Sequence, residues 1–290
     1  MEIKKQIPVK TACIQMDLEF GAIEKNTKKT VRLINEAADN GAQLIVLPEL
    51  CVSGYVFTNR EEAFAYSEKI PEGFSCREWI KVSKARKVYV IAGVSELDGG
   101  KLYNSAVLFG PEGYIGKYRK LQLWEDEFLW YEPGDIGLPV FKTPIGRIGM
   151  LICADMWYQE TYRILTVSGA DIICCCINGT WHDDLPDNML SFFPIHSMAA
   201  ANSNNVYIAA ADRVGVERGV RFPGKSLIVA NTGLPVAGPI ELQEEIIYAD
   251  CDFAAVRRHQ PNEYNSAIKD RRIDVYDEFL GYRSERYRSD

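Results

Sequence analysis

The sequence predicts an α/β protein built on buried, largely parallel strands. Short continuous apolar runs bounded by turn residues alternate with segments of helical periodicity, and this alternation occurs twice along the 290 residues with the same order of elements. Strands buried on both faces read as near-continuous apolar runs rather than alternating ones, which is the pattern here. No Pro/Ser-rich or low-complexity stretch separates the halves, and no repeat is visible at the residue level. One large domain over residues 1–256 is therefore expected. A polar and aromatic arm, residues 257–290, follows it and is expected to pack on the same domain or on a partner subunit.

The first strand is expected at residues 9–16. Asn26 or Thr27 can cap a helix that carries Val31, Ile34, Ala37 and Ala38 at helical spacing, and Gly41 ends it. The next strand falls at 43–47. Helices at 60–70 and 76–84 are separated by Pro71-Glu72-Gly73, and strands follow at 88–94 and 104–109. Pro111-Glu112-Gly113 turns the chain into a strand at 114–118. The second alternation has strands at 140–143 and 147–152 around Pro144-Ile145-Gly146, a helix at 158–168 and a strand at 171–177. A helix at 189–203 and strands at 206–211, 225–230 and 244–250 complete it, the last two lying either side of Asn231-Thr232-Gly233.

Composition narrows the function classes. The chain is 47% hydrophobic and 25% charged, as a soluble globular protein with a sizeable core should be. A net charge of −7 with no dense Lys/Arg stripe argues against nucleic acid. No apolar run approaches a membrane span, and Met1-Glu2-Ile3-Lys4-Lys5 does not open a signal peptide. The eight cysteines include Cys174-Cys175-Cys176, whose side chains alternate across a strand and so suit neither a disulfide framework nor a zinc knuckle. A cytoplasmic setting with reduced thiols is expected. His182 and His196 lack a third ligand at metal-site spacing, so they are assigned no role and no metal site is expected.

Three segments carry chemistry. Glu49 ends the run Leu44-Ile45-Val46-Leu47-Pro48, Cys153 ends Gly149-Met150-Leu151-Ile152, and Lys120 closes Tyr118-Arg119-Lys120. Buried strands present side chains at their carboxyl ends, where open α/β sheets place ligands. A thiol near 8.5 and a carboxyl near 4.3 differ by roughly 4 pH units, on the order of 6 kcal/mol against proton transfer. Burial of the carboxylate and an ammonium beside the thiol are the two ways to close that gap. Glu49 is then a base, Cys153 a nucleophile, and Lys120 a donor to the oxygen that turns negative when sulfur attacks. The backbone N–H of Ala154, at a strand-to-helix turn, is a second donor to that oxygen.

These segments, in this order, resemble the nitrilase superfamily of carbon–nitrogen hydrolases, from about Val9 to Tyr276. The carriers are Leu47-Pro48-Glu49, Tyr118-Arg119-Lys120-Leu121, and Cys153-Ala154-Asp155 followed by Glu160 and Arg163. Phe222-Pro223-Gly224-Lys225-Ser226 and Arg271-Arg272-Ile273-Asp274-Val275-Tyr276 add to them. The resemblance implies a four-layer αββα sandwich, a homodimer or higher homo-oligomer, and no cofactor. It also implies a fourth site residue, a Glu shortly before a Pro-Gly. Glu127, ahead of Pro133-Gly134, fits that spacing, with Glu125 and Glu132 as competitors. Many relatives carry His where this chain has Gln122, and Glu-Asn where it has Ser203-Asn204.

In the nitrilases proper the nucleophile is followed by Trp-Glu, whereas Ala154-Asp155 matches the amidase and carbamoylase branches. The expected reaction is hydrolysis of a small amide or N-carbamoyl amine through a thioester, releasing ammonia or an amine. Met156-Trp157 stand where D-amino-acid carbamoylases place arginines, so a neutral or cationic substrate is favoured. The acidic segment Trp181-His182-Asp183-Asp184 would suit an amine. Tyr55, Trp124, Trp157, Asn178 and Trp181 are expected to contact substrate. The alternatives are a nitrilase, a glutaminase unit serving a separate synthetase, and a non-catalytic scaffold or binding protein of the same fold.

Overall fold

The computed structural model describes residues 8–181, 191–258 and 264–280. In chain order, β1 (Val9–Gln15), α1 (Ile23–Asp39), β2 (Leu44–Val46), α2 (Arg60–Ala65) and α3 (Phe74–Arg86) lead to β3 (Tyr89–Asp98), β4 (Lys101–Gly110) and β5 (Gly113–Arg119). The second half runs β6 (Val140–Thr143), β7 (Gly146–Ile152), α4 (Gln159–Val167), β8 (Ile172–Cys176), α5 (Phe193–Asn204) and β9 (Tyr207–Ala211). It continues with β10 (Val214–Glu217), β11 (Val220–Pro223), β12 (Leu227–Val229), β13 (Pro235–Ala237) and β14 (Glu245–Cys251), then α6 (Phe253–Arg258) and α7 (Ile273–Leu280).

Two six-stranded sheets result, ordered β14-β1-β2-β3-β4-β5 and β13-β12-β9-β8-β7-β6. Their centres are parallel, β1-β2-β3 in one and β7-β8-β9 in the other, and their edges are antiparallel. Strand alternation distributes the apolar residues between two interfaces. Cys13, Leu44, Val46, Ile91 and Leu108 face the other sheet and meet Ile148, Met150, Ile152 and Cys174. Their neighbours Ile14, Ile45, Val90 and Phe109 turn outward onto Ile34 and Ala37 of α1 and Trp79 and Val82 of α3. Tyr162 and Leu165 of α4 and Ala200 and Ala201 of α5 cover the second sheet. The order is helix, sheet, sheet, helix, the αββα sandwich that was expected.

Differences from expectation have local causes. Asn26 and Thr27 are buried inside α1 rather than capping it. Asn26 Nδ2 donates to the carbonyls of Glu19 (2.7 Å) and Val52 (2.9 Å), and Thr27 Oγ1 donates to that of Ile23 (2.7 Å). Strand β3 continues past Val94 because its polar end is paired: buried Glu96 accepts from Arg119 Nη2 (2.6 Å) and from Lys117. The β10–β11 hairpin and β13 lack a clear apolar alternation and were not expected. Beyond α6, Arg163 of α4 donates to the carbonyl of Ala267 at 3.1 Å, a contact between the arm and the body.

Asp171 ties α6 to the second sheet. Fully buried, it accepts from Arg147 Nη2 (3.0 Å) and Arg257 Nη2 (2.6 Å). Asp171→Ala should lower stability to urea by about 2 kcal/mol, below the roughly 3–5 of a fully buried pair, because both arginines can turn to water. An unchanged unfolding midpoint would show the tie to be idle.

Candidate active site

Glu49, Lys120 and Cys153 arrive from three strand ends. The chain leaving β2 lies against β3: the Leu47 N–H donates to Ile91 O (2.8 Å), the Gly93 N–H to Pro48 O (3.1 Å) and the Cys51 N–H to Gly93 O (3.0 Å). This close approach needs Gly93, where a Cβ would lie 2.5 Å from Glu49 Cα. Leu50 then turns the chain with φ 45°. Lys120 follows β5, its N–H donating to Asn104 O (2.8 Å) and its carbonyl accepting from the Gly134 N–H (2.8 Å). A Cβ on Gly134 would sit 2.2 Å from Arg119 O. Cys153 follows β7 directly and adopts φ 43°, a left-handed conformation costly for a non-glycine residue and concentrated at functional turns.

The centre is a buried charge cluster. Lys120 Nζ donates to Glu49 Oε1 and to Glu127 Oε1, both at 2.8 Å. Asn104 Nδ2 donates to the same two oxygens, at 2.6 Å and 3.2 Å. The remaining carboxylate oxygens accept from backbone, Glu49 Oε2 from the Asn178 N–H (2.9 Å) and Glu127 Oε2 from the Trp124 N–H (3.1 Å). Burial disfavours the Lys120 ammonium, but the charges of Glu127 and Glu49 reverse the sign and hold its pKa well above the usual lysine range. Burial raises the Glu127 carboxyl to about 7, against the opposing pull of Lys120 and with help from Glu49.

Cys153 is not a resting thiolate. Burial and the Glu49 charge push its pKa well up, and Lys120 only opposes them. Asp155 fixes the turn after it, accepting from Tyr118 Oη (2.8 Å), the Gln122 N–H (2.9 Å) and the Ile152 N–H (3.0 Å). Burial raises this carboxyl to about 6.

The thiol opens onto a pocket of about 420 Å³, mouth included, walled by Tyr55, Trp124, Trp157 and Phe193, with Ala154 and Asn178 beside Cys153. Of the residues expected to contact substrate, Tyr55, Trp124, Trp157 and Asn178 line this pocket, as does Ala154. Trp181 does not line it: its ring lies 4.2 Å from the Arg221 guanidinium. His182, Asp183 and Asp184 fall outside the described residues. His196 packs on Trp157, ring centroids 4.8 Å apart. Glu125 is exposed and Glu132 lies 3.8 Å from Arg60, so neither competitor reaches the cluster that Glu127 joins. Asn104 was missed. Nothing in the run Lys101–Gly110, where Ser105 stands beside it, singled it out.

The carbon–nitrogen hydrolase family matches this chain over residues 10–260. A nitrilase of Pyrococcus abyssi is 42% identical over 269 residues, 92% of this chain and 99% of its own. The omega-amidase of Homo sapiens is 30% identical over 280 residues, covering 90% of this chain and 95% of its own. Among solved structures, a carbon–nitrogen hydrolase from Helicobacter pylori superposes with a TM-score of 0.83 at 26% identity, over 94% of this chain and 98% of that one.

Two outcomes follow from this geometry. Gly93→Ala should displace Glu49 and cut kcat on any turned-over amide by roughly a hundredfold, the scale of a misplaced reactive group; a loss below about threefold would mean the loop tolerates the shift. With Glu127 titrating at about 7, kcat/KM should rise with pH through that value as its carboxylate forms and grips Lys120. The limb should disappear from the residual activity of Glu127→Gln, and an unaltered profile would detach it from Glu127. Linkage has the opposite sign. The folded chain keeps this proton above the unfolded pKa, about 4.3 for Glu, so the contribution to stability falls as pH climbs toward 7.

Proposed function

The chain belongs to the carbon–nitrogen hydrolase family, and we propose that it hydrolyses small amides or N-carbamoyl amines through a Cys153 thioester. The observation that carries this reading is the Lys120 ammonium held between Glu49 and Glu127, whose charges all act on the Cys153 thiol beside a pocket rich in aromatic rings. In the proposed reaction Cys153 Sγ attacks the carbonyl carbon while its proton passes to Glu49. The developing oxyanion is met by Lys120 and the Ala154 N–H. Glu49 returns the proton to the departing nitrogen, the C–N bond breaks, and ammonia or an amine leaves a thioester. Water, deprotonated by Glu49, releases the acid. Glu127 holds Lys120 and so acts through it.

Amide rather than nitrile is favoured by Asp155, whose short carboxylate is fully used in bracing Tyr118, Gln122 and Ile152 in the place where nitrilases proper carry the longer Glu. The nitrilase name of the Pyrococcus abyssi relative supports the nitrile as second reading. Among the described residues lining the pocket none is basic, which favours neutral or cationic substrates over carboxylates. All eight cysteines are free and buried, consistent with a reducing cytoplasm, and no described helix is long and apolar enough to cross a membrane. The proposal includes a homo-oligomer, for which exposed Ile164, Val167 and Ile195 on α4 and α5 supply apolar surface.

The test is intact mass after incubation with a panel of amides, carbamoyl amines and nitriles. The expected result is an added acyl group that maps to Cys153 and is absent from Cys153→Ala. Hydrolysis retained by Cys153→Ala on any substrate of the parent protein would overturn the proposal.

A further inference from the structure

Asn178 is 1% exposed, and its two ends are treated differently by the fold. Its backbone N–H is committed to Glu49 Oε2 at 2.9 Å. The residue lines the pocket beside Cys153, and its buried side-chain carboxamide has neither Oδ1 nor Nδ2 hydrogen-bonded to any described group. Buried polar atoms in native proteins are paired, and leaving an acceptor and a donor unmatched at one residue works against folding unless something else pairs with them. Among the described residues, the pocket around it is walled by the rings of Tyr55, Trp157 and Phe193 with Thr180 and Ser191, and none of these pairs with the carboxamide.

A carboxamide presents one acceptor and two donors in a plane. Its complement is a group that offers an N–H and a carbonyl oxygen together, which a primary amide or a carbamoyl group does. A nitrile nitrogen offers a lone pair and no N–H. Building on the amide-hydrolase reading, we infer that Asn178 is the specificity residue for the bond that is cleaved: Oδ1 accepts from the N–H of the scissile amide, and Nδ2 donates to a substrate oxygen. A bound nitrile leaves Oδ1 unmatched, so the site selects amides and carbamoyl compounds over nitriles of the same acyl group. The acceptor stays matched through the reaction, because the nitrogen gains a proton as the C–N bond breaks. Sites built to hydrogen-bond a substrate N–H or O–H reject analogues that lack it far more strongly than apolar pockets reject a difference in size.

The experiment separates binding from turnover by using Cys153→Ala protein, titrated calorimetrically with aliphatic amides from acetamide to hexanamide and with the matching nitriles. Each amide should bind about tenfold or more tightly than its nitrile. Adding Asn178→Leu should bring the pair within about twofold, while the Tm stays level or rises, because an apolar side chain of similar shape replaces two unmatched polar atoms. A purely structural Asn178 would instead lower Tm and weaken amide and nitrile alike. Equal affinities in the Cys153→Ala parent, no binding of either class, or a preference that survives Asn178→Leu would each overturn the inference. Amide preference without any acyl adduct on the unmodified protein would sink the hydrolase reading and leave the Asn178 assignment standing.

Discussion

Everything at the centre of this protein depends on one ammonium enclosed by two carboxylates. Lys120 Nζ lies 2.8 Å from an oxygen of each, with no exposure of any partner beyond a few per cent. At an effective dielectric near 20, a contact of that length is worth about 6 kcal/mol, which is of the order of the several kcal/mol lost by desolvating each ion. One carboxylate would roughly balance the lysine, and a second leaves the cluster negative. Burial, with that surplus added to it, accounts for both perturbed groups around it. Glu127 is pushed up to about 7, near the point where a proton restores neutrality, and the Cys153 thiol is held well above its usual range by burial and Glu49.

The backbone achieves this convergence by stopping strands at matched depths. Parallel β2 and β7 belong to different sheets and end near one another across the sandwich, where the Glu49 N–H reaches Ile177 O (3.4 Å), just beyond β8. Left-handed residues at Leu50, Glu125 and Cys153 then turn the chain within one step of each strand or turn. Gly93 and Gly134 let neighbouring backbone close in on Glu49 and Lys120. Asn104 completes the frame from β4, spanning both carboxylates with one amide nitrogen. The polar cluster is thus gripped by main chain on nearly every side, as a dry ionic site must be if its partners are not to separate into water.

Glu49 and Cys153 were legible in the chain because each closes a continuous apolar run, and such runs are what strands buried on both faces look like. With Lys120 between them, in that order and with those flanking residues, they carried the resemblance to the carbon–nitrogen hydrolases. Glu127 could not be told from Glu125 or Glu132, because a short 3₁₀ turn at Glu125–Leu129 buries one acid of several, and only the tertiary fold decides which. Asn104, Tyr118 and Asp155 were silent as polar partners since their contacts span 37 residues or more in the cases of Glu49 and Asp155. Trp181 misled for a similar reason: its sequence neighbours face the pocket, but Arg221 from β11 offers its ring a cation. Asn26 and Thr27 looked like caps because short polar residues usually are, yet their side chains satisfy a buried turn.

A thiol kept neutral by its own site is an odd nucleophile until the proton's path is followed. On the proposed mechanism, the thiol proton moves to Glu49 as sulfur attacks, and that transfer does two things. It creates the nucleophile, and it cancels one of the two charges that occupy Lys120. The ammonium, until then balanced by Glu49 and Glu127, has charge to spare when the substrate oxygen turns negative. Were the thiol proton lost to solvent instead of to Glu49, the thiolate would be a third anion in a cluster that already carries an excess, which low dielectric makes expensive. Substrate therefore completes the electrostatic balance of the transition state rather than that of the ground state, and interactions that strengthen only there are the ones that accelerate a reaction.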